Sequence, residues 1–265
     1  MPLADRFDGL LVDLDGVVWI GREPVPGSPE TLRALLEADK RFVFVTNNPS
    51  KHPRAYAKRL GEMGVGVVPE QVVTAGMVAA RLAGEAAAAA AGKSGGAFVI
   101  GMPALEEMVA NAGARLLERN EAQEADVVVV SGHREFDYRE LLAAKQALDR
   151  GAALVATSRD PTMPHPGGEL PGTGAVLAAV ETASGRRAEI AGKPERHLFE
   201  MARAALGGAE RVAMIGDRVS SDIAGGQAAG LETVLVLSGT TSREEAAAAD
   251  PAPDFVLEDL SGLLA

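Results

Sequence analysis

The stretch Phe7-Asp8-Gly9-Leu10-Leu11-Val12-Asp13-Leu14-Asp15-Gly16-Val17 sets two carboxylates one residue apart, where an apolar strand gives way to glycine. An ionised carboxylate taken from water without a partner costs more than a strand can spare, so something must offset this pair. In a regular strand alternate side chains share a face, which puts Asp13 and Asp15 together, and Gly16 lets the chain turn away immediately afterwards. Both acids then stand at the carboxyl end of a strand, where open α/β sheets bind ligands. Two solvated turn aspartates would read the same way, and Asp-x-Asp-Gly alone does not separate these readings.

The 265 residues suit one large domain or two modest ones with a substantial core. Hydrophobic residues at 47% and charged residues at 24% describe a globular chain, not a disordered one. A net charge of -11 argues against a general binder of nucleic acid or anionic membrane and favours small substrates. The chain has no cysteine, so disulfides and thiolate metal sites are excluded and any metal is held by oxygen or histidine ligands. Asp5, Arg6 and Asp8 precede the first apolar strand without a signal-peptide pattern. No apolar run approaches the roughly 18 residues of a membrane helix, and a cytoplasmic location is expected.

Strands are expected at 41–46, 72–73, 98–100, 127–130, 153–157, 212–215 and 233–237. Helices are expected at 28–37, 55–63, 77–91, 104–111, 138–150, 195–206 and near 222–229, with another ending near 183. Ser28 is expected to cap the first helix, with Pro29 in its first turn. The alternation predicts an α/β fold with a Rossmann-like, doubly wound parallel sheet. The glycine- and proline-rich segment from Asp160 to Gly174 reads as a long functional loop. Two glycine motifs fail inspection: Gly92-Lys93-Ser94 has Ala87 where a phosphate-binding loop needs glycine, and Gly172-Thr173-Gly174 has Leu177 where a dinucleotide fingerprint needs its third glycine.

Three further signals lie at strand ends. Thr46 closes a strand with Asn47 and Asn48, Gly192-Lys193-Pro194 precedes a helix, and Gly216-Asp217-Arg218 follows a strand with Ser220, Ser221 and Asp222 just beyond. Each alone also reads as a turn or a surface residue; their occurrence together and in this order changes the weight of all four.

On these residues the chain resembles the haloacid dehalogenase superfamily phosphatases, of the branch with a large α/β cap that includes NagD-like, para-nitrophenyl phosphatase and phosphoglycolate phosphatase enzymes. Asp13-Leu14-Asp15-Gly16-Val17-Val18-Trp19 with Gly21 and Gly27 is similar to the family's first motif and flap, and Thr46-Asn47-Asn48 to the second. Gly192-Lys193-Pro194 is similar to the third, and Gly216-Asp217-Arg218 with Asp222 to the fourth. The family often has an acid and a threonine where this chain has Ser220 and Ser221.

The resemblance implies a magnesium-dependent phosphomonoester hydrolase acting on a small phosphorylated metabolite. Asp13 is then the nucleophile, forming an aspartyl-phosphate, and Asp15 the general acid and base. Thr46, Asn47 and Lys193 bind phosphate. Asp13, Asp217 and the backbone carbonyl of Asp15 hold magnesium, with Asp222 behind them. Phosphoryl transfer asks the protein mainly for positioning and charge stabilisation, and two unit charges 4 Å apart interact by about 4 kcal/mol at an effective dielectric near 20, so four such acids demand a cation. Acid-base catalysis is typically worth ~100 to 10,000-fold, so Asp15→Asn is expected to cripple turnover and Asp13→Asn to abolish it.

Thr46 and Lys193 stand 147 positions apart (193 minus 46), far beyond an ordinary βα connection, so an inserted domain is expected. The cap is placed at 77–182 and the catalytic core at 1–76 with 183–265; the cap is expected to close over the site and exclude water. Arg159, Asp160 and His165 are the candidates for leaving-group contacts; His52, His133 and His197 are assigned no chemistry. The family implies association through the cap, hence a possible homodimer. Two rival classes are a non-catalytic phosphate-binding regulatory protein of the same fold, which would have no need for both Asp13 and Asp15, and a metal-dependent glycosyltransferase using Asp-x-Asp, which would have no need for Lys193 and Asp217.

Overall fold

The computed structural model describes residues 1–91, 95–165 and 168–265, apart from the side chains of 91, 164 and 165. Gly92-Lys93-Ser94 and the expected helix end near Gly92 lie outside the described residues. In chain order, β1 (Gly9–Asp13), β2 (Trp19–Ile20), β3 (Glu23–Pro24), α1 (Ser28–Glu37), β4 (Arg41–Thr46), α2 (Pro53–Glu62) and β5 (Val72–Thr74) come first. Then follow α3 (Ala75–Ala91), β6 (Gly96–Ile100), α4 (Pro103–Asn111), β7 (Arg115–Leu116), β8 (Val127–Val130), α5 (Tyr138–Asp149), β9 (Ala153–Ala156), β10 (Thr162–His165), β11 (Gly168–Pro171), α6 (Thr173–Ser184) and β12 (Glu189–Ile190). After them come α7 (Arg196–Ala205), β13 (Val212–Gly216), α8 (Ala224–Ala228), β14 (Glu232–Val236), α9 (Arg243–Ala247) and β15 (Phe255–Leu257).

The chain divides into two compact units, one of residues 1–46, 53–73 and 193–265, the other of 47–52 and 74–192. The first carries the sheet β15-β14-β13-β1-β4-β5. In it β1 runs parallel to β13 on one side and to β4 on the other, and β14 runs parallel to β13 and β15. Every residue of β1 is buried, as a strand covered on both faces requires. Leu10, Val12, Phe42, Phe44, Ala213 and Ile215 supply the centre of its core. On α1 the buried positions Ser28, Thr31, Leu32 and Leu35 lie along one helical stripe, with Pro29 also buried in the first turn. Its cap is Gly27, at φ 81°, and not Ser28, which lies within the first turn and donates its hydroxyl to the Val17 carbonyl at 2.8 Å.

The second unit carries the parallel sheet β12-β9-β8-β6-β7, whose four-valine strand β8 is wholly buried. It extends beyond the expected 77–182 at both ends. Helix α3 starts at Ala75, and β12 belongs to this sheet because Glu189 and Ile190 pair with Val155 and Ala156 of β9. The segment read as a loop from Asp160 to Gly174 holds the antiparallel hairpin of β10 and β11. No helix of the described residues is long and apolar enough to cross a membrane.

Candidate active site

In the first unit β1 is the strand from which the chain leaves toward β4 on one side and to which it returns as β13 on the other. A crevice beyond the carboxyl ends of strands at such a reversal is where doubly wound sheets take ligands. Asp13 is the last residue of β1, Thr46 the last of β4, and Asp217 follows the last residue of β13. Asp15 therefore lies beyond β1 and does not continue its alternation. The turn there depends on Gly16, at φ 89°, where a Cβ would overlap the Asp217 carboxylate. Only glycine satisfies both demands.

Four charged side chains meet at these strand ends, all buried: Asp13, Lys193, Asp217 and Asp222. Lys193 Nζ donates to Asp13 Oδ1 at 2.5 Å and stands 2.7 Å from Asp222 Oδ1. Asp222 reaches the cluster because the helix expected near 222–229 is split. A π-helical turn over Val219–Ile223 precedes α8, and within it the Arg218 amide donates to Asp222 Oδ2 at 3.0 Å. Such turns recur at functional sites because they re-aim a side chain without ending the helix. Ser221 is buried in this turn, and Ser220 is exposed.

Asp217 is gripped by a segment that sequence reading passed over. Thr240 donates its amide to Asp217 Oδ2 at 2.6 Å, and the Thr241 hydroxyl donates to the Asp217 carbonyl at 2.6 Å. Ser238 bonds the Gly16 carbonyl at 2.7 Å, and a Cβ on Gly239 would overlap the Asp217 carboxylate. The available signal was the polar run Ser238-Gly239-Thr240-Thr241 directly after an apolar strand.

One oxygen each from Asp13, Asp217 and Asp222 lies within 4.8 Å of the others. Asp217 Oδ1 is buried with no hydrogen-bond partner, an expense a protein avoids unless something else takes that oxygen. Burial pushes the Asp13 carboxyl well above the usual carboxylate range, with Lys193 opposing and Asp222 and Asp217 adding to the rise. Burial likewise raises Asp217, with Asp222 beside it. For Lys193 burial acts to lower the pKa, but Asp13 and Asp222 together outweigh it and hold the ammonium charged. Fully ionised, the three carboxylates would exceed the one ammonium by two negative charges, the very state that burial and mutual repulsion resist, and an all-oxygen donor set with that excess fits a hard divalent cation.

The acids that converge through their side chains are thus Asp13, Asp217 and Asp222. The Asp15 carboxylate is not among them: its Oδ1 accepts the Trp19 indole N–H at 2.9 Å. Thr46 is buried at the end of β4. In the second unit, Asn47 donates its side-chain amide to Asp160 Oδ2 at 3.0 Å. Arg159, expected to meet a leaving group, makes two hydrogen bonds to the buried Glu181, at 3.0 and 2.7 Å. Arg187 adds a third at 2.8 Å. The side chain of His165 lies outside the described residues. His52 and His133 sit against Glu107 and Glu140.

Comparison with known proteins agrees with this geometry. The haloacid dehalogenase-like hydrolase family matches residues 10–115, and a HAD-hydrolase-like family matches residues 190–263. Chronophin of Mus musculus is 37% identical over 270 residues, spanning 98% of this chain and 92% of its own. A glycerol phosphate phosphatase from Mycobacterium tuberculosis, crystallised in complex with magnesium, superposes with a TM-score of 0.90 at 35% identity, covering 100% of this chain and 78% of its own. A p-nitrophenyl phosphatase from Archaeoglobus fulgidus superposes with a TM-score of 0.86 at 30% identity, covering 97% and 98%.

Proposed function

Because the chain belongs to the haloacid dehalogenase-like hydrolases, we propose that it hydrolyses small phosphomonoesters through an aspartyl-phosphate on Asp13, with magnesium held by Asp13, Asp217 and Asp222. The carrying observation is the buried cluster of these three carboxylates with Lys193 at the switch point of the sheet. Bound magnesium supplies the positive charge that lets an anionic nucleophile approach an anionic phosphate. The remaining chemistry belongs to side chains of the protein.

An oxygen of Asp13 attacks phosphorus in line as the bond from phosphorus to the leaving oxygen breaks, and Asp15 gives its proton to that oxygen. Water then attacks the aspartyl-phosphate, losing a proton to Asp15, and inorganic phosphate departs as Asp13 is regenerated. Lys193 neutralises charge on nucleophile and phosphate, and Thr46 with the Asn47 backbone grips the phosphate oxygens. The substrate is a small phosphorylated metabolite met in the cytoplasm. Glycerol phosphate belongs in the first panel tested, since a relative bears that activity in its name.

Two measurements test the reading. Magnesium-dependent release of phosphate from p-nitrophenyl phosphate should be lost in Asp13→Asn. Acid quenching during turnover should trap a phosphorylated peptide containing Asp13. A trapped phosphate elsewhere, or full turnover by Asp13→Asn, would overturn it.

A further inference from the structure

We propose that Trp19 is a positioning residue for Asp15, fixing one carboxylate oxygen so that the other carries the proton to the leaving group. This rests on the role given to Asp15 above.

Asp15 stands past the end of β1, where no strand ladder restrains it, and its side chain is only half-buried. Trp19 is fully buried and donates its indole N–H to Asp15 Oδ1 at 2.9 Å. The indole is itself held. The Arg59 guanidinium lies 3.9 Å from its ring centroid, and the Tyr56 ring stacks on it at 6.3 Å with planes 6° apart. Arg59 is anchored in turn by donating to the Gly21 carbonyl at 2.8 Å. The backbone closes the same loop, since the Gly16 amide donates to the Trp19 carbonyl at 2.7 Å. A rigid donor so placed removes rotations that a free aspartate would have to lose in the transition state.

A buried indole N–H needs an acceptor in any protein, and on that ground alone Asp15 would serve Trp19 and not the reverse. Leaving-group chemistry separates the two. An alkyl phosphate must expel an alkoxide and depends on the proton from Asp15, whereas p-nitrophenyl phosphate expels a stable phenolate and depends on it little. In both cases kcat/KM reports the steps through formation of the phosphoenzyme. A residue that merely supports the fold lowers both alike.

The test compares glycerol 3-phosphate and p-nitrophenyl phosphate as substrates for the wild type, Trp19→Phe and Asp15→Asn. Trp19→Phe should lose about tenfold more kcat/KM on glycerol 3-phosphate than on p-nitrophenyl phosphate, the scale of a hydrogen bond to a charged group. Trp19 is the only tryptophan in the chain. Biosynthetic replacement by the benzothienyl isostere, which keeps the ring and lacks the N–H, therefore alters this position alone and should reproduce the selective loss even if the phenylalanine variant folds poorly. Equal losses on both substrates, or no loss with the isostere, would overturn the inference. If Asp15→Asn itself shows no leaving-group selectivity, the acid role of Asp15 fails and the inference with it. If Asp15→Asn is selective and the Trp19 replacements are not, only the inference fails.

Discussion

Replacing Glu181 by glutamine is expected to destabilise the second unit by about 2 kcal/mol near neutral pH, and by less and less in acid. The Glu181 side chain is 7% exposed and receives bonds from Arg159, Arg187 and the Ala188 amide. The Arg159 hydrogen bonds, more than any other influence, bring its pKa from 4.5 down to about 2. That difference of about 2.5 units, at about 1.36 kcal/mol each, sets a ceiling of roughly 3 kcal/mol. Because Arg159 and Arg187 are 45% and 83% exposed, solvent screening reduces this to about 2. The folded carboxyl holds its proton less tightly than the unfolded one. Its stabilisation is therefore complete above pH 4.5 and drains away as pH falls toward about 2. Urea unfolding followed by far-ultraviolet circular dichroism should give a gap between wild type and Glu181→Gln that is level from pH about 7 to about 5 and narrows below about 4.5. Hydrogen exchange of the α6 amides assigns the change to the second unit, since the fluorescence of Trp19 reports the first. No gap at neutral pH, or a gap undiminished at pH about 3.5, would refute the reasoning.

Three other outcomes follow from the active-site cluster. Lys193→Met leaves Asp13 and Asp222 buried without their ammonium, so it should lower the unfolding free energy by roughly 3 to 5 kcal/mol and eliminate turnover; wild-type stability in a denaturant titration would contradict that. Gly16→Ala forces a side chain into positive φ, at about 1 to 2 kcal/mol, and drives its Cβ onto Asp217; calorimetric titration should show magnesium bound at least about tenfold more weakly. Chelation should silence the enzyme reversibly. Magnesium at about a hundred times its Kd should add about 2.7 kcal/mol of stability, an increment that Asp217→Asn should largely remove in thermal melts.

The inner strands of both sheets were legible because parallel sheets bury both faces, leaving short apolar runs such as Phe42 to Val45 and Val127 to Val130 bounded by polar turns, whereas the edge strands β7 and β15, exposed or half-buried, were not expected. The hairpin of β10 and β11 was not. Its Pro164, Gly168 and Pro171 are poor strand formers, and it exists because Thr162 pairs with Pro171 and Met163 with Leu170. The two-residue β12 is likewise made by its neighbour β9 and not by its own composition, which is why the second unit runs past 182. At the site, Asp13, Lys193 and Asp217 each stood out as a charged residue following an apolar run, and Asp222 as an acid just beyond the last of them. Which oxygens converge was hidden, because it depends on the π-helical turn that carries Asp222 and on the Trp19 bond that draws Asp15 aside. Arg159 looked available for a ligand because its partner, Glu181, lies 22 residues further on, on the buried side of α6.

The strand order of the first unit also bears on biosynthesis. β1 sits between β4, made soon after it, and β13, made near the other end of the chain. Asp13 precedes its ammonium partner Lys193 by 180 residues, and Asp217 and Asp222 come later still. On the ribosome Asp13 thus waits, without Lys193, through translation of the entire second sheet, whose strands lie between β6 and β12 in the chain with β10 and β11 set apart as a separate pair. A stalled or truncated chain that stops short of β13 holds Asp13 without the other two carboxylates of the cluster. The three carboxylates therefore meet only once β13 lies beside β1, and a half-made chain lacks the acidic cluster.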